Sequence, residues 1–419
     1  MTRIAAIHAR EILSGIGRPT VEVVLTTGVG ESVTASSPSG TSRGRHEARE
    51  LYDGGERLGG MGVRRAVANV NDTIAPVLVG RELAAPAAID EALAELDGTE
   101  GFKRLGSNGV LAVSMAVWRA AAKAAGHPLY RTVGEPSAHR LPAVLATVLA
   151  GGKHSPSPLP FEDYLLVLDG FSAFHEALEA LVEARLALAV RLRERFGPVP
   201  DVGGALAPPL AETPAAFDLM LQAVEDAGAA GKVRLGLDVA ASDLYDESAD
   251  AYRLGERTMS VEELRQHYVE LAGGRPLTFI EDAFHEDDFA AHAALTAALT
   301  GVQVVGDDLF ATNRARLRTG IDAGACDTIL LKINQAGTMA RACDCAALAR
   351  DAGYKIAVSI RSSDTNDDFI ADLAVALAAE QIKLGSPVRG ERNAKYNRLL
   401  AIEAELGDGA TFASRPAKC

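Results

Sequence analysis

The strongest constraint on this chain is a beat in its second half: short apolar runs, each reaching a charged residue, separated by amphipathic stretches of helical length. The runs are VRLGLD to Asp238, LTFIED through Glu281, VQVVGD to Asp307, TILLK to Lys332 and KIAVSIR to Arg361. After the first gap, they recur at the length of one strand and one helix. Between two of them, Ser260-Val-Glu-Glu263 is a capping-box pattern that opens a helix ending at Gly273-Gly274. Strands that are apolar throughout are buried on both faces, which points to a parallel sheet covered by helices. Repeated this often, the unit predicts a closed (β/α) barrel.

In such a barrel the C-terminal strand ends open onto one face, so the charged residues converge. Asp238, Glu281 and Asp307 then offer oxygen ligands from three strands, a set suited to Mg²⁺. Three separate helix N-caps would use the same residue types. Lys332, flanked by apolar residues in ILLKIN, is expected to be partly buried, with its pKa lowered by desolvation and a nearby dication so that the amine serves as a base. A salt bridge to a neighbouring carboxylate is the plainer use of it. Arg361 beside Ser362 makes a donor fork plus a hydroxyl, apt for phosphate, and Lys383 follows in QIKLGS.

These basic residues stand out because the 419-residue chain carries a net charge of −14. That balance argues against nucleic-acid or anionic-membrane partners, whereas basic side chains placed at strand ends of so acidic a chain point to a small anionic substrate. The start, MTRIAAIHAREIL, does not read as a signal peptide, so a cytoplasmic location is expected. Four cysteines are too few for a disulfide framework in a chain of this length, and Cys343 and Cys345 read as packing residues. Ahead of the barrel, strand-like segments such as Thr20–Leu25 precede a Ser/Gly-rich loop, SSPSGTSRGRHE, suited either to a lid or to a solvated connection. Helices are predicted over Gly62–Ile74, stopping before Pro76, and over Asn108–Gly126. The change of character near Leu141 divides an N-terminal α+β domain, residues 1–135, from a barrel domain, residues 136–419.

With HAREIL, GRPTVEV, SGTSRGRHEARELYDGG, LGLDVAASDLY, FIEDAFHEDD, VVGDDLFATN, LLKINQAGT, QIKLG and AKYNRLLAIEAELGDGA in this order, nearly the whole chain resembles the enolase family. The resemblance implies a modified (β/α)₈ TIM-type barrel behind a smaller N-terminal α+β domain, a homodimer and a phosphorylated carboxylate substrate. It implies Asp238, Glu281 and Asp307 as Mg²⁺ ligands, Lys332 as base, Lys383 on the substrate carboxylate, and Arg361 with Ser362 on its phosphate. Gly40 and Ser42 match the family's closing loop, Ser42 helping to bind a second Mg²⁺, and His154 matches a histidine near the phosphate.

Departures from the family pattern cluster around the leaving hydroxyl. Val202 replaces the catalytic glutamate, Glu162-Asp163 replaces Gln-Glu, Ile360 replaces a histidine, Ala150 replaces an asparagine, and Ser14-Gly-Ile-Gly-Arg-Pro-Thr20 replaces Asp-Ser-Arg-Gly-Asn-Pro-Thr. Together they imply an altered enzyme acting on 2-phosphoglycerate, phosphoenolpyruvate or an analogue, with a carboxyphosphonoenolpyruvate synthase of phosphinate pathways as the expected type. A slow phosphopyruvate hydratase using Glu162 or Asp163 as acid, and a noncatalytic binding protein on the same fold, are the alternatives.

Overall fold

A computed structural model describes residues 2–134 and 139–414. The chain opens with an antiparallel meander of β1 (Ile4–Leu13), β2 (Pro19–Thr27) and β3 (Ser32–Ser36). The helix Ser107–Ala125 packs on this sheet and ends at Gly126, whose left-handed backbone closes it. Its sequence is Ala-rich and mostly buried, so the small side chains let it lie close to β2 and β3.

Eight strands then close a barrel: β4 (Ala143–Ala150), β5 (Asp163–Leu168), β6 (Arg234–Asp238), β7 (Leu277–Glu281), β8 (Gln303–Gly306), β9 (Thr328–Leu331), β10 (Lys355–Ser359) and β11 (Gln381–Lys383). From β6 to β11 neighbours run parallel, and β11 pairs with β4 to complete the ring. The strand β5 is reversed, antiparallel to both β4 and β6. Reversal brings the first residue of β5 to the end where its neighbours finish: Asp163 lies in register with Ala150 of β4 and Asp238 of β6. Inside the ring, Leu145, Leu165, Val167, Phe279, Val305, Leu330 and Ala357 form a fully buried plug. Gly236 is the inward glycine of β6, because a Cβ there would press on Leu165 and Phe279, each 3.2 Å away. At the end away from the charged residues, Gln303 and Gln381 exchange side-chain amide hydrogen bonds of 3.0 and 2.8 Å.

The capping box forms as expected. Ser260 accepts from the Glu263 backbone, Glu263 accepts from the Ser260 backbone, and the helix runs Val261–Gly273. The helix expected to stop before Pro76 does not. Its segments Arg64–Ala68, Asn69–Ile74 and Ala75–Leu78 follow without a break, the middle one a π-turn in which the Ala75 N–H reaches back to the Val70 carbonyl. A wide turn relieves the clash of a proline ring with the preceding turn and tolerates its missing donor, so Pro76 is passed rather than obeyed. Cys345 is buried and Cys343 half-buried, both free, with burial pushing each thiol up to about 12. The expected domain boundary at 135/136 lies outside the described residues, as does Cys419. No helix among the described residues is long and apolar enough to cross a membrane.

Candidate active site

The carboxyl ends of the barrel strands surround a cavity of about 400 Å³ whose wall includes Ser42, His154, Glu162, Asp163, Asp238, Lys332, Arg361, Ser362 and Lys383. Parallel pairing sets Glu281 beside Asp238, and a single ammonium, that of Lys383, donates to both at 2.7 Å. The same ammonium stands 3.5 Å from Asp163, which also accepts from the Thr147 hydroxyl at 3.0 Å. Asp307 pairs with Lys332 and accepts from the Gln335 side-chain amide at 2.9 Å. The strand-end residues thus gather as two lysine–carboxylate groups on one floor.

Electrostatics follow from burying this much negative charge. Burial first, then Asp238, pushes the Glu281 carboxyl well above the ordinary range. Its Oε1 is buried with no hydrogen-bond partner. An orphaned oxygen on Glu281, whose other oxygen meets only the Lys383 ammonium, among all-oxygen donors fits a hard dication better than a closed ion-pair network. Burial likewise pushes Glu162, aided by Asp238 and Asp163, up to about 8, so its carboxyl is protonated at neutral pH. Burial alone would also raise Asp307, yet Lys332 holds it below the usual range.

Burial does not lower the Lys332 pKa as expected of it. Burial works against its ammonium, but the Asp307 carboxylate beside it prevails and holds the amine above its ordinary value. Its observed bond is the salt bridge that the sequence allowed as the plainer use.

A second acidic grouping went unforeseen. Carboxylate oxygens of Asp282, Asp307 and Asp308 lie within 4.8 Å of one another. Asp282 adopts a left-handed backbone at the end of β7, and its two oxygens accept the backbone N–H groups of Asp307 and Asp308, each at 2.9 Å. It therefore caps the end of β8 rather than facing the cavity. The paired letters in FIED and GDD were the only available signal.

Between β3 and Glu47 the loop is neither a solvated connection nor remote from the barrel. Ser39 bridges to Ser363, the Thr41 N–H donates to the Ser362 hydroxyl at 2.8 Å, and the Arg45 N–H donates to Glu286 at 3.0 Å. Arg361 anchors it, donating to Glu47, to the Ser42 carbonyl at 2.9 Å and to Asn334 at 3.1 Å. Arg361 and Glu47 are each only 4 % exposed, so the pair is tightly desolvated. Gly40 is required by this contact: a Cβ there would lie 2.0 Å from the guanidinium. Ser42 meets Arg361 through its carbonyl, and the structure does not bring it to Asp238, Glu281 or Asp307 by any bond. His154 stands exposed on the rim.

Val202 and Ile360 line the same cavity, so both departures face whatever binds there. The turn carrying Val202 is held by the pairing of Leu206 with Leu149 of β4. Arg392, on the helix Gly390–Leu406, also reaches the wall and was not singled out by sequence.

Comparison with known proteins agrees with this architecture. The description "Enolase, N-terminal domain" matches residues 4–133, and "Enolase, C-terminal TIM barrel domain" matches residues 138–418. The chain is 48 % identical to the Enolase of Methanopyrus kandleri, across 99 % of both chains. It is 45 % identical to the Enolase of Pyrococcus furiosus and 46 % to that of Rubrobacter xylanophilus, each over 98 % of this chain and 97 % of the relative. From its meander to its reversed-strand barrel, the chain belongs to the enolase family.

Proposed function

We propose that this enolase-family protein is a phosphopyruvate hydratase, a lyase that takes water from 2-phosphoglycerate, with Glu162 supplying the acid that Val202 cannot. What carries this reading is that one cavity is bordered by both the Lys332 amine and the half-buried Glu162, whose carboxyl is pushed up by desolvation and its acidic neighbours. The relatives' name, Enolase, supports it over a carboxyphosphonoenolpyruvate synthase, a type that draws no support from them and is set aside.

Asp238, Glu281 and Asp307 would hold Mg²⁺, with Ser42 reserved for a second ion. Bound there, Mg²⁺ would supply positive charge that offsets the Asp307 carboxylate and the charge growing on the substrate carboxylate. Lys383 orients that carboxylate. Arg361 and Ser362 receive the phosphate by exchanging bonds now made to the loop at residues 41–47, with His154 closing the rim. Once Asp307 is engaged elsewhere and the Lys332 ammonium has released its proton to solvent, the free amine takes the proton from C2; Glu162, beside Asp163, gives its proton to the departing C3 hydroxyl, which leaves as water. Excluding bulk water from this charged floor strengthens each of these contacts.

Solvent deuterium exchange at C2 of 2-phosphoglycerate tests the reading at its first step. Exchange in the Mg²⁺-loaded protein that disappears in Lys332→Ala is expected; no exchange in the parent protein would instead favour a noncatalytic binding protein.

A further inference from the structure

Arginine is the residue least able to give up its charge, so a buried guanidinium nitrogen without a partner calls for an anion. Arg392 is 5 % exposed and borders the cavity. Its two terminal nitrogens donate to the Arg361 and Ser362 carbonyls at 3.0 and 3.4 Å, but its Nε is buried with no acceptor. The acidic groups nearest to it are engaged elsewhere: Asp364 with Lys395, Glu391 with Arg389, and Asp163 with Thr147 and Lys383. Burial lowers the guanidinium below its ordinary value, outweighing the opposing pull of Asp364, Glu391 and Asp163.

A second guanidinium borders the same cavity. Arg18 stands half-buried in its wall, and its side chain makes no hydrogen bond or ion pair among the described residues. Its segment is fixed beside Arg392 rather than free to wander. The Ser14 hydroxyl meets that of Ser363 at 2.8 Å, the Gly15 N–H donates to the Asp364 carbonyl at 2.8 Å, and Arg389 donates to the Gly15 carbonyl. A Cβ on Gly203 would come within 4.0 Å of Arg392 Nη2, which sets the Val202–Gly203 turn beside Arg392, and Arg18, Val202 and Gly203 line the same cavity. Val202 contributes no charge there, so nothing in the turn neutralises the two cations.

We infer that Arg18 and Arg392, facing the Val202–Gly203 turn, form a second oxyanion subsite that accepts a phosphate-class anion at the same time as the phosphate held at Arg361. The inference rests on the proposed assignment of the substrate phosphate to Arg361, and its consequence is that the cavity admits either a co-bound anion or a substrate with one more acidic group than 2-phosphoglycerate.

The probe is inorganic phosphate titrated by calorimetry into the full-length, Mg²⁺-loaded protein, with and without saturating phosphoenolpyruvate. Phosphate is expected to bind in both cases, with Arg18→Gln weakening its affinity at least about tenfold, the loss of one charge-assisted contact, and Arg18→Lys restoring part of it. Val202→Glu, which places a carboxylate in the corner without touching either arginine, should weaken phosphate by a similar factor. Phosphate that only competes with phosphoenolpyruvate, or that binds Arg18→Gln as tightly as the parent, overturns the subsite. If phosphoenolpyruvate itself fails to bind, the proposed function falls, while the comparison of parent and Arg18→Gln with phosphate alone still decides the subsite.

Discussion

The role proposed for Glu162 comes from its surroundings rather than its residue type. It precedes the reversed strand β5 beside Asp163, where burial and the neighbouring carboxylates keep its proton on at neutral pH. In Glu162→Gln, phosphoenolpyruvate formation should fall about 10²–10⁴-fold, the usual range for a lost general acid, and the alkaline limb of the kcat profile should vanish with it. An unchanged limb would move the acid to another residue. Stability gives an independent check. A carboxyl whose folded pKa lies above its unfolded value of 4.5 favours folding most at low pH, and that advantage is lost as pH rises through about 8. Melting curves of the metal-free parent, measured against Glu162→Gln, should therefore show the parent losing ground between pH 5 and about 8; a constant difference would contradict the burial of its charge. Lys332 teaches the converse lesson. Its place at the end of TILLK was readable, but its charge state was not, because that depends on Asp307 from the adjacent strand.

Among the elements, β5 carries the widest consequence. The parallel strands delivered their charged residues to one end by a rule that sequence spacing exposes, which is why Asp238, Glu281, Asp307 and Lys332 were legible as a group. The reversal of β5 has no such signature; only resemblance pointed to Glu162-Asp163, and the antiparallel register explains why they reach the mouth. Asp282 was missed because its function is to accept backbone N–H groups of the next strand end, a contact no spacing encodes. Pro76 was misread for a related reason, since a π-turn upstream absorbs it. By contrast the capping box at Ser260 is wholly local. Replacing Ser260 by Ala should cost about 1 kcal/mol of unfolding free energy by denaturant titration, leaving activity unchanged, since the helix Val261–Gly273 supports the barrel from outside; no loss would mean the cap is redundant.

At the scale of the molecule, the barrel mouth and the N-terminal loop act as one structure. Arg361 on the barrel and Glu47 on the loop are buried against each other, so a desolvated ion pair docks the loop on the barrel mouth. The overall architecture was legible because apolar strands at strand–helix spacing leave few ways to bury both sheet faces. The closed loop was less so, since Ser and Gly in a row do not say where a loop lies. Concentrating carboxylates on one floor destabilises the metal-free fold, and Mg²⁺ at a hundredfold excess over its Kd should stabilise the protein by about 2.7 kcal/mol. Differential scanning calorimetry should show a Tm that climbs with Mg²⁺ in the parent and is flat in Asp307→Asn; equal responses would remove Asp307 from the metal site.

Mixing purified protein with Mg²⁺ and 2-phosphoglycerate and following phosphoenolpyruvate by its ultraviolet absorbance tests the central claim most directly. Steady formation of phosphoenolpyruvate, abolished in Lys332→Ala and strongly reduced in Glu162→Gln, is the predicted result. Absence of product in the parent protein, or full activity in Glu162→Gln, would contradict a hydratase that draws its acid from Glu162.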